Sequence, residues 1–185
     1  AISALAHEAA AVNAIKRDQP FTVVIGNPPY SKMSGNLSKA AVALIEPFRS
    51  LRGERIIEKG ALALELNLQD DYMKFWGYLT SQISKSGIGV GSFITNSRYL
   101  SGPTLRGIRG HICDSFSKGF FLDLGGQVSE QKSFREADEN VFDIEQGVAI
   151  GLIVLHPPET SMTEVSFKRV MGRRKDKYAE LSTSL

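Results

Sequence analysis

The order of apolar patterns along this chain predicts an α/β fold on a mostly parallel sheet that ends in an antiparallel hairpin. Three observations carry that expectation. Continuous apolar runs occur at 21–25 (FTVVI), 88–95 (IGVGSFIT), 120–124 (FFLDL) and 147–155 (GVAIGLIVL). Rich in β-branched and aromatic residues, they suit strands buried on both faces. The first three runs are separated by segments with apolar residues at helical spacing, the alternation of parallel βαβ units. The last two are separated by a polar, acidic stretch, 125–146, with no helical period. Strands joined without a crossover helix pair antiparallel.

Taken in order, Ile2, Leu5, Ala9, Val12 and Ile15 mark a helix over 2–16, broken at Gln19-Pro20. Phe21–Ile25 is the first strand, and Gly26 ends it. Residues 31–38 (SKMSGNLS) read as a loop. Residues 39–46 and 54–66 read as helical, interrupted by Pro47 and Gly53. Tyr72, Phe75, Trp76, Leu79 and Ile83 form an amphipathic stripe over 69–84, with Gly87 as its C-cap. The second strand follows. Pro103 opens another helix behind a Ser101 or Gly102 cap, with Leu105, Ile108, Ile112 and Phe116 on its apolar face. Gly119 stops it before the third strand. The fourth strand ends at Pro157-Pro158, and a short strand is expected at 163–168. Residues 1–160 thus read as one α/β unit and 161–185 as a basic polar tail.

Composition narrows the class. A chain of 185 residues with 42% hydrophobic and 23% charged residues can bury one substantial core. No apolar run reaches the ~18 residues that a membrane-spanning helix needs. The first residues have no basic start and contain His7 and Glu8, unlike a secretory signal. Cys113 is the sole cysteine, so a disulfide framework or a cysteine zinc site is not expected. His7, His111 and His156 show no metal-ligand spacing. A reducing, cytoplasmic setting fits. The net charge of +2 is uninformative, but Lys168, Arg169, Arg173, Arg174, Lys175 and Lys177 crowd around one acid, Asp176. Such a cluster is either a solvated surface or a track for nucleic-acid phosphates. Lys168, Arg169, Arg173, Arg174 and Lys175 are the candidates for the second role.

The chemistry sits at Asn27-Pro28-Pro29-Tyr30, directly after the first strand. In open α/β sheets, ligands bind beyond the carboxyl ends of the strands. Two prolines fix φ and offer no N–H donors, which makes a stiff wall of acceptors. The Asn27 side-chain oxygen and the Pro28 carbonyl suit the two hydrogens of an amino group. Held so, a conjugated nitrogen turns its lone pair toward an incoming methyl, and its growing positive charge is stabilised. Tyr30 adds a flat face for a base to stack on. On three residues alone, a plain turn would explain Asn-Pro-Pro equally well. The buried strand before it and the aromatic residue after it favour the functional reading.

With these residues in place, the sequence resembles the adenine-N6 DNA methyltransferases, whose fourth motif reads (Asp/Asn/Ser)-Pro-Pro-(Tyr/Phe/Trp). It looks closest to the methyltransferase portion of type I single-polypeptide and type IIG restriction–modification enzymes. FTVVIGNPPY carries the motif. The stretch from Leu66 to Ile112 looks like the segment that follows it, and NVFDIEQGVAIGLIVL resembles the later aromatic motif and its strand. The resemblance covers about residues 20–175. It implies the C-terminal half of a Rossmann-like fold that uses S-adenosylmethionine, and double-stranded DNA as partner. It also implies Asn27, Pro28, Pro29 and Tyr30 as catalytic residues and Phe142 against the extruded base, with Phe134 as rival. Asn96 would line the pocket, where a plain turn is an equal reading. Asp70 and Asp71 read as helix-capping carboxylates, and Arg98, Arg106 and Arg109 as surface residues in preference to phosphate contacts.

One departure from the family pattern is plain. The glycine-rich cofactor motif should precede NPPY, and residues 1–26 hold none. Gly87, Gly89 and Gly91 mimic it but run into a strand rather than out of one. The chain is therefore expected to be a piece of a larger enzyme, with most of the cofactor site and a target-recognition region elsewhere in the parent polypeptide. Self-association through an open sheet edge is also expected. Protein-glutamine and RNA guanine-N2 methylation use the same tetrapeptide and stay open as alternatives, as does a non-catalytic nucleic-acid-binding module.

Overall fold

The structure, a computed structural model, describes residues 2–30, 35–57, 61–127, 138–157 and 163–183. Helix α1 (Ile2–Asp18) leads to strand β1 (Val23–Gly26). Helix α2 (Lys39–Leu44) is capped by Ser38, whose hydroxyl accepts from the Ala41 amide at 3.3 Å. A 3₁₀ turn (Glu46–Arg49) then enters a two-stranded hairpin, β2 (Ser50–Leu51) and β3 (Glu54–Arg55). After α3 (Ala61–Leu68) come α4 (Asp71–Ser86), β4 (Gly89–Asn96), the single-turn α5 (Arg98–Ser101) and a 3₁₀ turn at Pro103–Leu105. Helix α6 (Arg106–Ser115), β5 (Lys118–Asp123), β6 (Val148–Leu155), β7 (Glu164–Arg169) and α7 (Arg174–Thr183) complete the order.

Three expectations change. Part of the helix read over 54–66 is strand: Arg52 and Gly53 take positive φ (53° and 81°) and turn a hairpin into Glu54–Arg55, while Ala61–Leu68 is helix as expected. Apolar periodicity does not register such a tight turn. The short strand expected at 163–168 is β7, but the polar residues after it hold helix α7; that helix is sparing in apolar residues, which hid it. Finally, the antiparallel strand lies inside the sheet.

The five-stranded sheet runs β1-β4-β6-β5-β7. β1 pairs parallel with β4 and β5 parallel with β7, while β6 pairs antiparallel with both β4 and β5. Four strands therefore share one direction and β6 alone runs against them. The β5–β6 hairpin is present, but β6 folds back between β4 and β5.

The two faces of this sheet differ. Gly26, Phe93, Gly151, Phe121 and Phe167 follow one another across one face by register. Helices α4 and α6 cover its central part. Trp76, Leu79 and Ile83 from α4 and Ile108 and Ile112 from α6 join Phe93, Tyr99 and Ile153 in the main core. Trp76 stacks near Tyr99 (ring centroids 5.3 Å apart) and Phe93 (5.6 Å). Its room comes from Gly151, where a Cβ would lie 2.9 Å from the indole. Of the expected α4 stripe, only Phe75 stays exposed. Gly87 closes α4 at φ 73°, in the left-handed region that glycine favours.

The opposite face carries Ile25, Ser92, Leu152, Phe120 and Ser166 in one row. Ile25 is 76% exposed and Phe120 40% exposed there. Among the described residues this face is covered at the carboxyl end of the strands, where Leu124, Val148 and Val170 form a second small core with Leu181 of α7. β1 stands at the sheet edge, and Leu5, Val12 and Ile15 of α1 are exposed. No helix among the described residues is long and apolar enough to cross a membrane.

Candidate active site

β1 delivers Asn27-Pro28-Pro29-Tyr30 to the carboxyl rim of the sheet. Asn27 and Pro29 are exposed, Pro28 is buried and Tyr30 is half-buried against the second core. The Tyr30 ring meets Phe142 edge-on, with centroids 6.0 Å apart and planes at 69°. Two expected residues more than a hundred positions apart in sequence are thus brought into contact. The rings do not face each other in parallel. The Tyr30 hydroxyl is buried and has no hydrogen-bond partner among the described residues. Burial raises its pKa to about 12, so the ring is neutral at any working pH. A neutral face suits stacking.

Phe142 lies on an irregular loop, 138–147, held largely by side chains. The Asn140 amide nitrogen donates to the carbonyls of Gly126 (3.1 Å), Ile144 (3.0 Å) and Gln146 (2.7 Å), and its oxygen accepts from the Phe142 amide at 2.9 Å. Asp138, 3% exposed, accepts from the amides of Gly126 (2.7 Å) and Gly172 (3.0 Å) and pairs with Lys177 at 2.7 Å. Burial alone would raise the Asp138 pKa, but Lys177 and the two amides outweigh it and hold the carboxylate below its ordinary range. Lys177 is fully buried and also donates to the carbonyls of Leu124 (2.5 Å) and Glu139 (2.7 Å). Gly125 and Gly126 have φ of 59° and 78°, and a Cβ on Gly126 would lie 2.4 Å from the Asn140 Cα. Both the turn and the close approach require glycine there.

The other expected residues are dispersed. Asn96 ends β4, 5% exposed, and its side-chain oxygen accepts from the Arg98 amide at 2.9 Å, the geometry of a turn. Asp70 precedes α4 and makes no side-chain cap hydrogen bond to it. Arg109 donates to the carbonyls of Tyr99 (2.8 Å) and Gly102 (2.9 Å), and Arg106 to that of Pro103 (3.1 Å). Of the basic cluster, Lys168 pairs with Glu180 at 2.5 Å and Arg169 with Asp123 at 3.3 Å, while Arg173 and Lys175 are exposed. Arg174 turns inward: its Nε donates to the Asn140 carbonyl (2.7 Å), and its Nη2 reaches the Phe142 carbonyl (3.2 Å) and Asp143 (2.7 Å). Phe134 lies outside the described residues. Sequence reading missed Asp138, Asn140 and the inward use of Lys177.

No group of three or more His, Cys, Asp or Glu suited to a metal occurs among the described residues. Gly87, Gly89 and Gly91 build no cofactor cradle. Gly87 is a helix cap, and Gly91 lies in β4, where a Cβ would meet Leu79 at 2.3 Å.

A mixed α/β sheet that presents an acceptor-rich loop beside an aromatic pair at its carboxyl rim defines a methyltransferase-like scaffold. A model of the Eco57I restriction-modification methylase matches residues 2–128, and the chain belongs to that family. No curated protein matches it. Solved structures of larger enzymes share its fold. The ATP-dependent Type ISP restriction-modification enzyme LlaBIII bound to DNA has a TM-score of 0.74 at 24% identity. A nuclease-deletion mutant of the Type ISP enzyme LlaGI with a DNA substrate mimic has 0.74 at 21%. The DrdV–DNA complex has 0.71 at 22%. These matches cover 91%, 92% and 93% of this chain, but it spans 12% of the LlaBIII chain and 17% of the other two.

Proposed function

We propose that this chain is the target-base half of an S-adenosylmethionine-dependent DNA methyltransferase, adenine-N6 specific, of a restriction–modification system. The observation that carries the reading is the Tyr30–Phe142 contact beside Asn27-Pro28 at the carboxyl rim of β1. In this reading an extruded adenine stacks on Tyr30 while the Phe142 ring swings aside to cover it. Extrusion is needed because the reacting atom is unreachable inside the duplex. Asn27 and the Pro28 carbonyl take the two amino hydrogens and leave the nitrogen lone pair toward the methyl donor. The pair is neutral, so orientation and charge stabilisation do the catalytic work. Asn96 lines the pocket floor from the next strand.

Phosphate contacts fall to the basic residues Lys168, Arg169, Arg173 and Lys175 on β7 and around α7. β7 lies four strand spacings, roughly 19 Å, from β1 along the same rim. Double-stranded DNA laid along the rim meets both. The cofactor cradle belongs to the rest of the parent polypeptide, which also covers the open sheet face and the β1 edge. The chain by itself is then inactive, binds S-adenosylmethionine weakly and self-associates through that exposed surface; a monomeric sedimentation profile would count against the last point. In the full-length polypeptide, Asn27→Ala should abolish methyl transfer while leaving the unfolding midpoint nearly unchanged, since Asn27 is exposed. Near-normal methylation by that variant would sink the assignment.

A further inference from the structure

We infer that Arg174 and Lys177 are positioning residues for the target base: the helix α7 they stand on braces the loop that carries Phe142, and they act through that loop rather than on DNA. The inference rests on the reading of Phe142 as a base contact. Three observations converge. Lys177 is fully buried in a chain segment that is otherwise half-exposed or exposed, and its ammonium joins Asp138 to the carbonyls of Leu124 and Glu139. It thereby ties together the end of β5, the start of the loop and α7. Arg174 grips the loop at two points, the carbonyls of Asn140 and Phe142, while its own amide donates to Glu139 at 2.8 Å. The Tyr178 hydroxyl donates to the Val141 carbonyl at 2.6 Å. Every residue from 138 to 142 is thus held through its backbone or its side chain, mostly from α7.

This arrangement fixes the loop backbone and leaves the Phe142 ring to turn about its own side-chain bonds. Such a division suits a base slot that must open without losing its register. A displacement of about 1 Å at a reacting group can lower a rate a hundredfold, so slack in the loop should appear in turnover before it appears in DNA affinity. A phosphate contact behaves in the opposite way: it supports affinity, and its loss shallows the salt dependence by about 0.9 per contact.

Arg174→Lys separates the two roles, because it keeps the charge but replaces the planar fork, whose Nε and Nη2 reach separate carbonyls, with a single nitrogen. The test uses the full-length polypeptide and steady-state methylation of a duplex carrying its recognition site, with Arg174→Lys, Arg174→Gln, Lys177→Met and Phe142→Ala. Both Arg174 variants should lose roughly ten- to a hundredfold in kcat, with KM for DNA and its salt slope unchanged. Hydrogen exchange of the 138–147 amides should speed up in both while the β4 and β6 amides keep their protection. Lys177→Met should show the same pattern more strongly. If it fails to fold, the half-exposed Arg174 still decides the matter. Normal turnover in Arg174→Lys with raised KM and a shallower salt slope in Arg174→Gln would make Arg174 a phosphate contact and overturn the inference. So would normal kcat in both Arg174 variants while Phe142→Ala is slow. Normal kcat in Phe142→Ala would instead bring down the reading of Phe142, and the inference with it.

Discussion

The two loops that meet at the site, 27–30 and 138–147, are both irregular, yet they are made rigid by different means. The first is stiffened by its own covalent structure. Pro28 and Pro29 fix successive φ angles, and Pro28 is buried at the end of β1. The second has no proline in its described part and borrows its shape from elsewhere: Asn140 bonds four backbone groups, and Asp138, Arg174 and Lys177 sew the loop to β5 and α7. The first wall is local and cheap to break only a little. The second is cooperative, so single losses propagate.

The largest effect should come from unpairing the buried charges. Lys177→Met takes the ammonium away from Asp138, a carboxylate at 3% exposure, a loss of about 3–5 kcal/mol, read as a lower urea midpoint. Asn140→Ala removes the hub of the loop and should cost about 2–4 kcal/mol, at roughly 0.5–1 kcal/mol for each of its four hydrogen bonds. Pro28→Ala should lower stability by no more than about 1 kcal/mol, the entropy that proline removes from the unfolded chain. If Pro28→Ala proves as damaging as Asn140→Ala, the contrast between the walls fails. The smallest effect belongs to Tyr30→Phe. It deletes a buried hydroxyl without a partner among the described residues, so stability should hold or rise by about 1 kcal/mol and methylation should persist.

Acid sharpens the same contrast. The folded pKa of Asp138 lies below its unfolded value. Its contribution is therefore complete above the unfolded pKa of about 3.9 and is lost as pH falls through the folded one. The 138–147 amides should lose exchange protection from about pH 5 downward, and Asp138→Asn should flatten that decline. The 27–30 wall has no carboxylate and should be indifferent over this range.

This contrast also explains what could be read from the sequence. Asn27-Pro28-Pro29-Tyr30 was visible because its rigidity is written in four adjacent residues behind a strand. The main core was equally open: Tyr72, Trp76, Leu79 and Ile83 recur at helical spacing and are all buried. Phe142 could be picked out by its place before β6, but its partners could not. Asp138 and Lys177 look like surface charges in sequence, and only the return of α7 onto the sheet makes them an interior pair. Arg174 drew attention as one of a basic cluster, which is a statement about net charge. Its inward grip on two carbonyls depends on where the helix lands. The hairpin at 50–55 escaped notice because Arg52 takes a positive φ that its residue type does not announce. The inner place of β6 followed from pairing choices that local patterns do not encode.

The central claim is that the two walls together present an amino nitrogen of a DNA base. Mass spectrometry of the nucleosides from duplex DNA treated with the full-length polypeptide and S-adenosylmethionine tests it most directly. The account predicts N6-methyladenine, lost in Asn27→Ala. A methyl group found instead on a protein glutamine or on guanine N2 of RNA, with adenine unmodified, would contradict it.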